Sequence, residues 1–253
     1  MDRRKLGKKL CLCVTIIAVV CCIGLLFHFG ILKPNNPSRA QYPVRGVDVS
    51  AYQGDIDWEV LSRQGIAFAF IKATEGSSYV DEYFEANFTG ARQTSLKAGA
   101  YHFFSFDSPG ETQADNFIAH VPIVSGALPP VVDFEFYDGK EENPPDPDGV
   151  RKELNDLLDR LETHYGTKPI IYSTNKTYGL YLAGYYEGYD IWIRNILTAP
   201  KPLENQEWTF WQYTNRERLD GYGGPEYYID MNVFNGTIDD FANYAKYAES
   251  KRR

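Results

Sequence analysis

From residue 43 onward, short apolar runs of strand length alternate with longer stretches whose apolar residues recur at helical spacing. The runs predict strands over residues 45–49, 66–73, 99–104, 130–136, 169–173, 190–194, 208–213 and 228–234. The intervening pattern predicts helices over 56–64, following Asp55, and over 82–95. Two more are predicted over 110–121, after the start signal Ser108-Pro109, and over 148–165, ended by Gly166 with Pro169 beyond. Residues 195–207 and 214–227 are rich in Asn, Pro and Gly and read as loops.

Strand and helix in alternation argue for a parallel sheet, and eight such units in about 200 residues argue for a β/α barrel. The expected fold class is therefore α/β, an irregular (β/α)8-like barrel with helices missing in its second half. The competing arrangement, an open doubly wound sheet, lacks the Gly-x-Gly-x-x-Gly turn that would open one of its helices.

One strand carries candidate chemistry. Residues 131–136 read Val-Val-Asp-Phe-Glu-Phe, so Asp133 and Glu135 leave the strand on one side while Val132, Phe134 and Phe136 leave on the other. Their Cα atoms lie roughly 6.5 to 7 Å apart at a rise of about 3.3 Å per residue. Ionising one such carboxyl disfavours ionising its neighbour, so one can keep a proton near neutral pH. That is what cleavage of a glycosidic bond requires. Alone, an Asp-x-Glu on a strand is usually the wet face of a sheet, and its company decides the matter.

The N-terminus changes the picture of location. Residues 10–32 run 23 positions without Asp, Glu, Lys or Arg, a length that spans a hydrocarbon core of about 30 Å. Arg3, Arg4, Lys5, Lys8 and Lys9 precede it, which keeps the N-terminus in the cytoplasm and sends the rest across. The expected organisation is a basic tail at 1–9, a transmembrane anchor at 10–32, a linker at 33–43, a catalytic domain at 44–245 and a charged tail at 246–253. The alternative is a cleaved signal peptide, with Ser38-Arg39-Ala40 as a small-residue site, although the apolar run exceeds the usual length. Val20 before Cys21 argues against a lipoprotein.

All four cysteines fall inside the apolar run, so the exported domain needs no disulfide and has no Cys-based metal site. Residues 1–42 hold seven basic and one acidic residue of the 26 and 34 in the chain, leaving a net charge of −14 on residues 43–253. A domain this acidic is a poor partner for nucleic acid or anionic lipid. It is expected to be monomeric, and no cofactor or metal is implied.

In a barrel of this type the active site lies at the carboxyl ends of the strands. Asp48 ends the first predicted strand, Lys72, Thr74 and Glu75 close the second, and Tyr101, His102 and Phe103 close the third. Asp133 and Glu135 close the fourth, Tyr172 the fifth, Trp192 the sixth, Trp211 and Gln212 the seventh, while Asp230 lies within the eighth. Strands one, four and eight are thus expected to gather four carboxylates at one mouth.

These residues resemble a known family. Gly46-Val47-Asp48-Val49-Ser50, Ile71-Lys72-Ala73-Thr74-Glu75-Gly76, Ala100-Tyr101-His102-Phe103, Val131-Val132-Asp133-Phe134-Glu135, Trp211-Gln212-Tyr213 and Ile229-Asp230-Met231-Asn232 are similar, in order, to motifs of glycoside hydrolase family 25, the Chalaropsis-type lysozymes or N-acetylmuramidases. The resemblance covers roughly residues 44–245. It implies an irregular barrel and hydrolysis of the β-1,4 bond between N-acetylmuramic acid and N-acetylglucosamine in peptidoglycan, with retention. It further implies that Glu135 is the general acid and that Asp133 orients the substrate 2-acetamido group as it attacks the anomeric carbon; direct attack by an aspartate is the less favoured option. Asp48 and Asp230 match the family's other two acids, with expected roles in raising the proton affinity of Glu135 and binding the sugar. Tyr101, Phe103, Tyr172, Trp192, Trp211 and Gln212 are the expected substrate-binding residues, the aromatic ones offering flat faces to a sugar ring. After Trp192 the family commonly shows a small residue and then an aromatic, whereas this chain reads Ile193-Arg194-Asn195-Ile196, which puts one subsite in question.

Other signals are weaker. His102, His120 and His164 lack ligand spacing and read as solvated or core histidines. The Tyr-rich run at 178–192 is either a substrate-facing loop or packing. Two other function classes fit parts of the pattern: a silent wall-binding module with the same aromatic cleft, and a metal-dependent phosphodiesterase using the four acids as hard ligands. A family 18 chitinase is excluded by Pro129-Pro130-Val131-Val132 where its longer acidic run would stand.

Overall fold

The computed structural model describes residues 3–201, 203 and 206–250. The ends of the predicted basic and charged tails, residues 1–2 and 251–253, lie outside the described residues. A long helix α1 (Arg3–His28) precedes the domain. The domain then runs β1 (Arg45–Val49), α2 (Trp58–Ser62), β2 (Phe68–Glu75), β3 (Tyr79–Val80), α3 (Phe84–Arg92), β4 (Lys97–Phe103), α4 (Gly110–His120), β5 (Val131–Phe134) and α5 (Pro147–Tyr165). It continues through β6 (Ile170–Thr174), the single turn α6 (Asn175–Thr177), β7 (Ile191–Arg194), β8 (Phe210–Glu217), β9 (Ile229–Phe234) and α7 (Ile238–Ser250).

Eight strands close a barrel in the order β1-β2-β4-β5-β6-β7-β8-β9, with β9 pairing back to β1 and β3 hanging from β2 as a short hairpin. The eight predicted strands are these eight. Their neighbours are parallel except at β9, which is antiparallel to both β8 and β1. The reason is the connection: the residues between Glu217 and Ile229 contain no helix, and a parallel return needs a crossover of about a dozen residues or more. Because β9 runs backwards, its first residues rather than its last reach the mouth.

Helices back the first half of the barrel. The best formed is α5: Asp146 caps it by accepting from Gly149 N–H, Pro147 opens it, and Gly166 at φ 69° ends it. Its stripe Leu154, Leu157, Leu158 and Leu161 is fully buried, against α4 and the outward faces of the strands. The contact of α4 with α5 depends on Gly110, where a β-carbon would lie 1.8 Å from the Glu153 carbonyl oxygen. The Tyr-rich run is packing: Tyr181 and Tyr186 are buried and donate to the carbonyls of Pro145 and Arg151.

The barrel interior is apolar below and acidic above. Phe68, Phe70, Phe210, Phe234 and Trp192 fill its base, with Trp192 stacked on Phe70 at 4.7 Å and Phe241 of α7 closing the bottom against Phe68 and Phe234 at 5.5 and 5.2 Å. This plug needs Gly46 on the facing strand, since a β-carbon there would sit 2.3 Å from the Phe68 ring. The predicted domain boundary at 245 falls inside α7, which continues to Ser250.

The N-terminal segment departs from expectation. Among the described residues, no helix is long and apolar enough to cross a membrane. The expected span at 10–32 ends early as a helix, because α1 stops at His28 and Gly30 turns at φ 65° against Arg216 O and the Tyr228 ring. Nor do residues 33–43 form a free linker. Lys33 pairs with Glu217, and Asn35 is buried and donates to the carbonyls of Asn195, Thr198 and Tyr213 at 3.0, 3.3 and 3.4 Å. Pro37 O accepts from Arg45, and Tyr42 packs on Trp208 and Trp211 at 5.8 and 6.0 Å. The segment lies along the outer side of β8, from its mouth end at Arg216 to the base of the barrel at Arg45.

Candidate active site

The mouth of the barrel opens into a cavity of about 430 Å³ whose lining includes Asp48, Asp133, Glu135 and Asp230. Alternation on each strand explains the gathering. On β5, Val131 and Asp133 point inward while Val132 and Phe134 enter the core shared with the helices. Glu135, one residue past the strand end, keeps the inward side. On β1, Asp48 follows Gly46 inward, and it faces Asp230 directly across the antiparallel pairing of β1 with β9.

Hydrogen bonds hold Asp48 and Asp230 in place from below. Gln212 Nε2 donates to both oxygens of Asp48, each at 3.1 Å, and to Asp230 at 3.0 Å. Gln212 Oε1 in turn accepts from the Tyr172 hydroxyl at 3.0 Å. Asn232 Nδ2 donates to Asp48 at 2.6 Å, while its oxygen accepts from Trp192 Nε1 at 2.8 Å. Each amide is thereby oriented by an aromatic donor whose ring is itself part of the buried floor.

Burial above an apolar plug decides the protonation of the acids. Asp230 is pushed well above the ordinary 3.8, first by burial and then by the charge of Asp48 opposite. Asp48 is also raised by burial, opposed by the hydrogen bonds it accepts from Asn232 and Gln212. Asp133 is raised well above its ordinary value by burial and then by the charge of Glu135. Glu135 is raised above 4.5 by burial, opposed most strongly by Arg194. The charge of Glu135 thus opposes ionisation of Asp133, and the two carboxyls titrate as an interacting pair. Asp133 lines the cavity, and its Oδ1 is buried and has no hydrogen-bond partner.

Of the other expected residues, Tyr101, Phe103, Tyr172, Trp192 and Gln212 all line this cavity. Trp192 is only 2% exposed and forms floor rather than wall. Trp211 does not line it. Adjacent residues of a strand point to opposite faces, so with Gln212 inward Trp211 lies on the outer side, among Tyr42, Trp208 and Tyr213, with its indole N–H on Asn195 O at 2.8 Å. Asn232 and Arg194 were not among the expected site residues. Asn232 was legible as the second residue after Asp230, on the same face, and Arg194 as the second after Trp192.

Among the described residues, no three of His, Cys, Asp or Glu are arranged to hold a metal ion. His102 is a core residue: it is buried, bonded to Thr74 Oγ1 at 2.7 Å and Gln113 Oε1 at 3.1 Å, and burial lowers its pKa to about 4. Asn87, first residue of an Asn-x-Thr triplet, is buried too, accepting from Ile56 N–H and Trp58 Nε1.

A barrel with this order of acids has known counterparts. Residues 47–222 match the glycosyl hydrolases family 25. The chain belongs to glycosyl hydrolase family 25. A family 25 glycosyl hydrolase from Bacillus anthracis is 54% identical and superposes with a TM-score of 0.78 over 85% of this chain and 98% of that one. A bacterial lysozyme from Streptomyces coelicolor is 31% identical at a TM-score of 0.71, over 82% and 98%. Lysozyme M1 of Streptomyces globisporus is 34% identical over 77% of this chain and 68% of its own length. As a family 25 member the chain is a glycoside hydrolase, and the cavity with its four acids is its candidate active site.

Proposed function

We propose that the chain is an exported N-acetylmuramidase that cleaves the β-1,4 bond between N-acetylmuramic acid and N-acetylglucosamine in peptidoglycan. The observation that carries this reading is the convergence of Asp48, Asp133, Glu135 and Asp230 on one mouth, with Asp133 and Glu135 two residues apart at the end of β5. Glu135, its pKa raised by burial, gives its proton to the leaving glycosidic oxygen. The 2-acetamido oxygen of the muramic acid displaces that oxygen from the anomeric carbon with inversion, closing an oxazolinium ring, and water deprotonated by Glu135 then opens the ring with a second inversion, so that the configuration is retained overall. Asp133 suits the task of holding the acetamido N–H, because its carboxyl lines the cavity beside Glu135. Accepting that N–H favours ionised Asp133, whose charge in turn favours the protonated form of Glu135, the residue that must donate. Asp48 raises the proton affinity of Glu135 by its charge, and Asp230 with Gln212 and Asn232 fixes Asp48. Tyr101, Phe103 and Tyr172 offer the sugar its apolar contacts.

The location follows from the same chain. Apolar side chains of α1 such as Leu12, Ile17 and Val20 are more than half exposed, a surface that water disfavours. With the basic residues before them, they read as a membrane anchor or a signal segment. Because the following segment reaches the domain at the mouth end of β8, an uncleaved anchor would hold the cleft toward the bilayer and the wall layers nearest it.

The test is mass spectrometry of soluble products after incubating the detergent-solubilised full chain with purified peptidoglycan. Fragments with reducing-end muramic acid are expected. Reducing-end glucosamine would reassign the bond, and the absence of release by a folded chain would sink the reading in favour of a binding module.

A further inference from the structure

The cavity holding the acids is the middle of a groove. A second cavity of about 360 Å³ adjoins it, lined by Phe136, Thr174, Lys176 and Asn195, and the two share Glu135 and Arg194 as a common wall. If Glu135 protonates the glycosidic oxygen, that oxygen lies at this wall, with the muramic acid residue among the four carboxyls and the leaving portion of the strand in the second cavity. Arg194 therefore stands beside the scissile bond on the leaving side.

Its placement is built. Arg194 ends β7, two residues after Trp192 and so on the inward side, in register with Thr174 and Gln212. The next residue is pinned, because Asn195 O accepts from both Asn35 Nδ2 and Trp211 Nε1. Among the described residues Arg194 forms no ion pair, although its charge acts on all four acids. The other cation of the second cavity is already engaged, since Lys176 pairs with Glu141 at 3.1 Å. A half-buried guanidinium left without a carboxylate, in a groove for a polymer that carries carboxylates, points to recognition.

We propose that Arg194 is a specificity-determining residue that binds a carboxylate of the leaving portion of the substrate. The first sugar on the leaving side is N-acetylglucosamine, which carries no carboxylate, so in peptidoglycan that group is either the lactyl carboxylate of the unsubstituted muramic acid one sugar further along or a carboxylate of its attached peptide. The inference rests on the muramidase reading, but its failure is separable, because the wild-type chain reports on that reading and only the Arg194 variants report on this one.

The experiment compares kcat/KM of the full chain on three strands: intact and peptide-bearing, peptide-stripped with free lactyl carboxylates, and peptide-stripped with those carboxylates converted to methylamides. A charged hydrogen bond of this kind corresponds to about a 10- to 100-fold effect. The wild type is expected to prefer whichever charged strand supplies the group, which distinguishes the two sources. Arg194→Ala should reduce the preference over the methylamide strand by about 10- to 100-fold, chiefly through KM, and Arg194→Lys should retain part of it. Two outcomes overturn the proposal. One is a wild type indifferent to the carboxylates. The other is an Arg194→Ala that loses equally on charged and neutral strands while its alkaline limb moves to higher pH, for then Arg194 acts only through its field on Glu135. Should Arg194→Ala fail to fold, Arg194→Gln, which keeps length and planarity, carries the same comparison.

Discussion

The two halves of this barrel solve the same problem differently. From β1 to β6 the strands are connected through α2, α3, α4 and α5, and apolar residues such as Val132, Phe134 and Ile171 share one buried core with residues of those helices. From β7 to β9 no long helix intervenes, yet Ile193, Trp211 and Tyr213 are equally buried. Part of the cover is the segment before the domain, with Tyr42 over the two tryptophans and Asn35 taking up three carbonyls. A barrel needs its outer apolar face removed from water, and a helix is only one way to do it. The irregular half also carries the positive charge at the cleft, Arg194, while the regular half carries the acid pair.

The largest expected effect falls on the regular half. Glu135→Gln should lower kcat by about 10²- to 10⁴-fold with an unchanged circular dichroism spectrum. An active Glu135→Gln would move the proton donor elsewhere. Activity should fall as pH rises through the raised pKa of Glu135. Because the Asp48 charge helps raise it, the residual activity of Asp48→Asn should show an alkaline limb displaced to lower pH.

The irregular half should respond in stability first. Trp211→Ala removes a buried ring from the outer cluster and should cost about 3 to 5 kcal/mol in denaturant unfolding. If it instead left stability intact and raised KM alone, Trp211 would be a sugar platform after all. Asn35→Ala removes the donor shared by carbonyls of the loop after β7 and of β8 and should cost about 1 to 3 kcal/mol, read locally as faster amide exchange near Asn195, Thr198 and Tyr213. Loss of protection spread evenly over both halves would contradict the view of the segment as local cover.

The smallest effect has the opposite sign. Asp230 is raised above its unfolded value, so its contribution to stability is present below the unfolded pKa and lost as pH rises through the folded one. Asp230→Asn keeps a donor toward Asp48 and does not titrate. It should therefore stabilise the fold by about 0.5 to 2 kcal/mol at neutral pH, a gain that vanishes toward pH 3 to 4, near the ordinary 3.8. A gain that persisted in acid would show that something other than charge had been relieved.

Local signals made much of this legible. Alternation in 131–136 placed Asp133 and Glu135 on one face, the caps Asp146 and Gly166 bounded α5, and the spacing of the apolar runs supplied eight strands. The same alternation forbade Trp211 and Gln212 from both facing inward, so that assignment was correctable without a structure. The limits of the N-terminal span were harder to read, because the turn at Gly30 lies so close to Arg216 O and the Tyr228 ring, nearly two hundred positions away, that a β-carbon there would crowd them.

By itself, then, the sequence determined which residues are buried on which side of each element, and with that the identity of the four acids, since side-chain direction is a local property of a strand or helix. Tertiary structure alone decided the antiparallel return of β9 that sets Asp230 opposite Asp48, the shared wall of Glu135 and Arg194, and the docking of residues 29–43 along β8. Each of these is a pairing between segments distant in the chain, selected by closure of the barrel and by the need to cover its surface, and neither requirement is written in any single window of residues.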